Sequence, residues 1–481
     1  MKEKIRRRNR VVDTAVFAVL LFAVSAVTLA LFYWQTTGST AGYHSDMEAY
    51  ILEMQGLNEK YSFPYPVFFK LGALIHLFAP PELSVAIAAM LLNSLAMVVA
   101  KLALNRLTLG ELEDGIREWQ LGRKYDGGNF TGSPVQGKDA LGKSAGERVV
   151  AGERTGGRGI GRKRAAGRAH GSSGVSGDVS WLGGVLVSLV TLSLFFISML
   201  FPPQGIYLPG IRFRYLGVFS PNPFHNATYM AARPFAILAF CWFVRLLPVY
   251  EGGGASGQRG KENISRLDYF LFSFFLLLAT MTKPSFTLVM VSTAGLVMLW
   301  RLIRAGFRNF IPTLWLGLCF VPTFLDLLYQ YRGVFVPEDG AEGGVGFSLG
   351  EVWAQYCTNI PLAVCLAMGF PLLVLVLHCK EWKKNAWFRF SWQFYLVGFA
   401  EAFLLYEKGF RKFDFNFSWG YMYGIFFCHF CALAILLKTT AQRPVKKRDG
   451  LLIAVQWFAY LCHVICGLVY FKTIFGGAMY Y

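Results

Sequence analysis

Residues 11–33 read VVDTAVFAVLLFAVSAVTLALFY, a run that is apolar throughout apart from Asp13 and a few hydroxyls. At 1.5 Å rise per residue a helix of this length spans the hydrocarbon core of a bilayer, which is about 30 Å thick. The basic stretch MKEKIRRRNR precedes it and no small-residue cleavage site follows, so the run is read as a retained first crossing rather than a removed signal peptide. That reading makes the chain a membrane protein, and the rest of the sequence is tested against it.

Moving outward, the 481 residues are 54% hydrophobic and 16% aromatic, and the apolar residues collect into further long runs instead of alternating with polar ones. Crossings are expected at 11–33, 83–105, 181–201, 233–249, 269–282, 285–302, 309–330, 352–379, 386–406, 419–438 and 450–472, eleven in all. The fold class expected is all-α, a polytopic membrane helix bundle. The basic connections, at 1–10, 106–180, 250–268, 301–308, 380–385 and 438–449, then fall on one side, the side of the N-terminus. Lys and Arg collect on the cytoplasmic side of membrane proteins. The expectation is a multi-pass protein of the cell membrane with its N-terminus in the cytoplasm and its C-terminus outside. The net charge of +18 reads as this topology signal, and nucleic acid is not expected as a partner.

Three units follow: 1–105 with two crossings and the outer loop between them, 106–180, and the bundle 181–481. Segment 106–180 is rich in Gly, Ser, Lys and Arg, with six cations and no carboxylate from Arg154 to Arg168. Such a composition buries too little apolar surface to offset ordering, so a disordered basic cytoplasmic loop is expected. The break Thr282-Lys283-Pro284-Ser285 divides two apolar pieces. Proline restrains the residue before it and lacks an N–H, so two half-length helices meeting near the outer surface are expected, with Lys283 at that surface. The nine cysteines lie in or against expected helices and read as packing.

The outer face then carries 43–50 (YHSDMEAY), 61–82, 209–235, 282–286, 330–351 and 406–424. Ionisable groups at a membrane rim are costly and are therefore functional candidates. The acidic pair Asp46 and Glu48 stands first among them. The plain alternative for this pair is a solvated loop in which Asp46 caps a helix.

An acidic pair in the first outer loop, then Tyr65-Pro66-Val67-Phe68-Phe69-Lys70-Leu71 opening an interfacial helix, then a second crossing, resembles the GT-C superfamily of membrane glycosyltransferases. Its members include the protein O-mannosyltransferases and the aminoarabinose transferases. The later ATMTKPSFTLVM is similar to that family's short helix pair. The sequence departs from the family in having one proline at Tyr65-Pro66 and in the 106–180 insertion. The resemblance implies a GT-C-like fold and transfer of a sugar from a polyprenyl-phosphate-linked donor to an acceptor glycan, lipid or protein on the outer face.

That chemistry assigns roles. Removing a proton from an acceptor hydroxyl needs a base, and Asp46 is the candidate, with Glu48 steering the acceptor or sharing a divalent cation with it. A leaving phosphate needs cations. Arg212, Arg214, Arg233, Lys283 and Arg411 are the candidates, alongside Lys408 and Lys412, with lipid headgroups as the plain alternative for the outer-loop cations Arg212, Arg214, Arg411 and Lys412. His44, Asn222, His225, Asn226, Thr228, Asp414, Asn416 and Trp419 are candidates for sugar or acceptor contacts, through amide, hydroxyl and imidazole hydrogen bonds and the apolar face of an indole. Two further readings stay open: a polysaccharide polymerase, and a carrier or flippase for lipid-linked sugars. A carrier would use charges within the helices, for which Asp326, Arg389 and Glu401 are the candidates.

Overall fold

The structure is a computed structural model describing residues 2–37, 45–58, 63–126, 180–201, 219–251, 264–335, 343–442 and 447–477. It is an all-α membrane bundle. The opening run lies in α1 (Lys2–Thr37), followed by two short helices, α2 (Met47–Gln55) and α3 (Pro66–His76). Gly56, at φ +71°, ends α2 in the left-handed conformation that glycine adopts without a Cβ penalty, and Pro66 opens α3 with φ already set for a helix. After α4 (Pro81–Asp126) and α5 (Ser180–Leu194) come α6 (Ala227–Leu246), α7 (Arg266–Thr282) and α8 (Ser285–Arg304). The bent pair α9 (Phe310–Leu318) and α10 (Val321–Phe335) leads to α11 (Ile360–Leu377), α12 (Ala386–Leu404), α13 (Ser418–Ala441) and α14 (Lys447–Phe475).

Among the described residues seven helices are long and apolar enough to cross a membrane, or eight if the pair α9 and α10, bent by 47°, is one span. The other expected crossings fall on α5, on α7 and on α12, which are shorter or carry charge. Several expected boundaries are corrected. Helix α4 runs past 105 to Asp126, so the helix enters the segment read as a loop, and 127–179 lies outside the described residues. The run 181–201 is helical only to Leu194. Its remainder stays inside the bundle because neighbours satisfy its backbone: Ser198 N donates to the His463 carbonyl at 3.1 Å and Leu200 N to that of Leu366 at 2.9 Å. The run 352–379 begins with the one-turn helix Glu351–Ala354 and becomes a spanning helix only at Ile360.

The pieces around Lys283-Pro284 are not half-length. Helix α8 has 20 residues, enough to cross, and with the 17 residues of α7 it forms a hairpin whose turn is Lys283-Pro284. At the far end of this hairpin, Arg245 at the close of α6 donates to Asp268 at 2.9 Å, and Arg301 of α8 lies 3.4 Å from the Leu247 carbonyl. Each arm therefore runs most of the length of α6, and the proline marks a turn rather than a break within one span.

Helix α13 is the centre of the bundle; its spanning stretch is buried throughout. In lipid, apolar burial gives little drive to helix association, so close approach and aromatic contact carry the packing. Gly420 and Gly424 let neighbouring helices come close. A Cβ at Gly420 would stand 2.4 Å from Val289 Cγ2 and 2.9 Å from the Ser285 carbonyl oxygen, and one at Gly424 would stand 2.8 Å from Tyr395 Cα. Phe427 of α13 stacks on Phe240 of α6 with ring centres 4.1 Å apart, a contact type worth about 0.5–1.5 kcal/mol beyond area burial. Lys101 of α4 is held inside the bundle by Asp13 Oδ1 at 3.1 Å and by the Gly184 carbonyl at 2.8 Å, which explains the single charge in the opening run.

A small antiparallel ladder joins β1 (Val345–Phe347) to β2 (Leu405–Glu407), with Val345 opposite Glu407. A 3-10 turn, Gly409–Asp414, follows and leads into α13. This ladder was not expected, and three-residue strands carry no usable alternation in sequence.

Candidate functional site

Asp46 occupies the N-cap position of α2, yet its side chain does not cap the helix. Oδ2 instead accepts from the Tyr50 hydroxyl one turn later and from Asn226 Nδ2, both at 3.0 Å. Asn226 is itself the N-cap of α6. Its Oδ1 takes the Tyr229 backbone N–H at 3.0 Å, the Thr228 hydroxyl at 3.1 Å and Lys283 Nζ at 3.0 Å. Lys283, in the α7–α8 turn, also donates to Thr228 Oγ1 at 3.2 Å, and that oxygen lies 3.0 Å from the Tyr50 hydroxyl. A carboxylate and an ammonium are thus joined through one amide and two hydroxyls, drawn from three stretches of chain more than fifty residues apart.

Two more segments close around the cluster. Lys283 Nζ lies 5.1 Å from the Trp419 ring centre and 5.9 Å from that of Tyr65, so its charge faces aromatic rings. Trp419 Nε1 donates to Asn416 Oδ1 at 3.2 Å, and Asn416 Nδ2 donates to Glu407 Oε2 at 2.9 Å. Arg411 Nε lies 3.2 Å from both Glu407 Oε2 and Asp414 Oδ2. His225 packs against Trp419 with ring centres 5.8 Å apart and planes tilted by 47°. Phe415 holds this corner with φ +57°, unusual for a bulky residue, and packs on Phe219, also left-handed at φ +63°.

The electrostatics follow from burial. Burial lowers the Lys283 ammonium to about 8; the Asp46 charge pulls it back up, while Arg411 pushes it further down. His225 is lowered to about 4, again mainly by burial, so its imidazole is neutral at physiological pH. Burial raises the Tyr65 phenol to about 12 and the Tyr50 phenol well above its ordinary value, keeping both as hydrogen-bond donors. Burial also raises Glu407, with Arg411 opposing it. Asp46 itself is exposed, and its Oδ1 takes no bond from the described residues. The arrangement offers an oriented carboxylate beside a buried cation.

Of the residues expected at the site, Asp46, His225, Asn226, Lys283, Arg411, Asp414, Asn416 and Trp419 come together. Glu48 sits exposed on the first turn of α2 and is not part of the network, because two residues along a helix place it on another face. Arg233 and Asn222 lie inside the bundle. Both have no accessible surface, and Arg233 Nη1 donates to Asn222 Oδ1 at 2.7 Å. Phe195, Phe426 and Tyr229 surround the guanidinium at 5.2–5.6 Å, and Asn222 Nδ2 reaches the carbonyls of Leu194 and Ile197. This pair ties α6 to the non-helical end of α5. His44, Arg212 and Arg214 lie outside the described residues.

Thr228, expected among the sugar contacts, joins the cluster through Asn226, Lys283 and Tyr50, whereas Tyr50 and Glu407 were missed as members of the site. The only signal for Tyr50 was its spacing from Asp46, one helical turn, which becomes legible once α2 is known to be a helix. Among the described residues no group of three or more His, Cys, Asp or Glu side chains gathers as a metal site. Comparison with protein-family models, with curated proteins and with solved structures finds no match to this chain.

Proposed function

We propose that the chain is a GT-C-like membrane glycosyltransferase of eleven crossings, transferring a sugar from a polyprenyl-phosphate-linked donor to an acceptor on the outer face of the cell membrane. The observation that carries this reading is the convergence of Asp46, Asn226, Lys283 and Trp419 at one end of the bundle, because transfer needs a base, a cation and an apolar sugar face within reach of one another. In the proposed reaction the acceptor hydroxyl gives its proton to Asp46 Oδ1 as its oxygen bonds to the anomeric carbon. The bond from that carbon to the phosphate oxygen breaks, and the phosphate leaves with the electron pair. Tyr50 and Asn226 hold Oδ2, so that the other oxygen stays aimed outward. Lys283 is the cation for the leaving phosphate, since the charge of Arg411 is already shared with Glu407 and Asp414. Asn416 and Trp419 are proposed for the sugar.

The test is the fate of the donor. Purified chain in lipid, given a labelled polyprenyl-phosphate sugar and a lysate-derived acceptor mixture, is expected to release polyprenyl phosphate as labelled acceptor appears. A donor that reaches the other leaflet with its sugar still attached would identify a carrier and remove the transferase reading.

A further inference from the structure

Asp326 stands half-buried on α10, one turn before Gln330, which is buried. Ionisable groups on membrane helices are costly and are functional candidates by default. Asp326 Oδ2 accepts from Gln330 Nε2 at 2.8 Å, and the same nitrogen donates to the Thr280 carbonyl of α7 at 3.0 Å. A carboxylate and a carbonyl thus flank one nitrogen, which fixes the amide this way round: turned over, its oxygen would face two acceptors. Gln330 Oε1 is buried and takes no bond from the described residues, so the side chain is held by its donor end.

Thr280 is where such a donor is needed. Within a helix its carbonyl would take the N–H four residues on, but that residue is Pro284, which has none, and α7 has already ended at Thr282. A carbonyl left unpaired among membrane helices is costly. Gln330 supplies the missing partner from another helix. The Thr280 side chain fastens the other arm of the hairpin: Oγ1 donates to the Leu276 carbonyl at 2.8 Å, and so accepts from Thr287 Oγ1 of α8, also at 2.8 Å. One residue, three before Lys283, joins α7, α8 and α10.

Helix α10 is also fixed to α7 at its start. Ser273 of α7 donates to the Cys319 carbonyl at the α9–α10 bend at 2.7 Å, and Phe272 meets Phe320 edge-on with ring centres 5.2 Å apart. Gln330 therefore reaches Thr280 from a helix hooked to α7 at both ends.

We propose that Gln330, oriented by Asp326, is a positioning residue for Lys283: it holds the α7–α8 turn so that the ammonium stays buried against Asn226 and Thr228. The plain alternative is a brace one turn long that serves α10 alone. The bond that crosses to Thr280, at the carbonyl the proline deprives of its partner, speaks against that alternative. The positioning is independent of the reaction, whereas the use of Lys283 for a leaving phosphate rests on the proposed transfer.

The experiment is trace labelling of the full chain in detergent with an amine-reactive anhydride across the alkaline range, modification of Lys283 being read by peptide mass spectrometry. The midpoint of its pH dependence reports how dry the ammonium is, apart from how easily the reagent arrives. At about 8 in the unaltered chain, it should rise towards 10.5 when the turn loosens and water reaches the charge. Gln330→Met keeps the size and removes the donor. A hydrogen bond between membrane helices shifts an equilibrium by roughly threefold on average, which limits the rise to about half a pH unit. Asp326→Leu leaves the Thr280 bond in place and should raise the midpoint less. Gln456→Met removes an equally buried amide from α14, away from the turn, and should leave the midpoint where it is. An unmoved midpoint in a folded Gln330→Met chain, or in Asp326→Leu where only that variant folds, would overturn the proposal. An equal rise in Gln456→Met would mark general loosening and overturn it too. Donor turnover plays no part in the readout, so the transferase reading and this one fail separately.

Discussion

Asn226 uses both ends of one amide on opposite charges, donating to Asp46 and accepting from Lys283, while its position at the start of α6 anchors the first turn. Asn226→Ala should therefore loosen both charged groups, and Asn226→Asp should set a second carboxylate 3.0 Å from Asp46 in place of a donor. Lys283 gives a sharper expectation. With its ammonium lowered to about 8, the charge is present below that pH and lost above it, so donor binding should weaken as pH rises through about 8. Stability moves the other way: between about 8 and 10.5 the unfolded chain holds a proton that the folded chain has released, so this group's contribution to stability rises across that window. Donor affinity and melting temperature measured from pH 7 to 9.5 should diverge, and Lys283→Arg should flatten the affinity curve because arginine stays charged. The candidates Asp46, Asn226 and Lys283 were legible as polar groups at a membrane rim. Thr228 was legible with them in the same polar run, whereas Tyr50 was not, since hydroxyl side chains are common in helices and only the fold brings it to Thr228.

At the scale of elements, the α7–α8 hairpin sets Lys283 in place, and its seat is the close contact with α13 at Gly420. A side chain there would meet Val289 Cγ2 and the Ser285 carbonyl within 3 Å. Gly420→Leu should wedge α8 from α13 and displace the Lys283 turn, costing about 1–3 kcal/mol from overpacking together with donor binding. Gly295→Leu, on the same α8 where a Cβ meets nothing within 4 Å, should cost neither. Thermal unfolding in detergent alongside donor binding checks the pair. The Lys283-Pro284 turn was readable because proline interrupts a helical run. The end of α5 at Leu194 was not readable: FFISML continues the apolar run, and the backbone partners that permit a non-helical path belong to His463 and Leu366, far along the chain.

At the scale of the whole molecule, apolar run length and the placement of Lys and Arg carried most of what was legible, because the bilayer dictates both. The count of crossings was less legible, since α12 bears Arg389 and Glu401, and α7 is only 17 residues long. The proposed orientation is checked by a cysteine placed at Gly157, which should resist a reagent confined to the outside, whereas labelling there would reverse the side of the Asp46 cluster. The account turns most directly on Asp46. In Asp46→Asn the side chain keeps its size but loses proton acceptance, so sugar transfer from a polyprenyl-phosphate donor should fall by roughly 10²- to 10⁴-fold with expression unchanged, and Glu48→Gln should cost far less. Wild-type transfer by the Asp46→Asn protein would contradict the account.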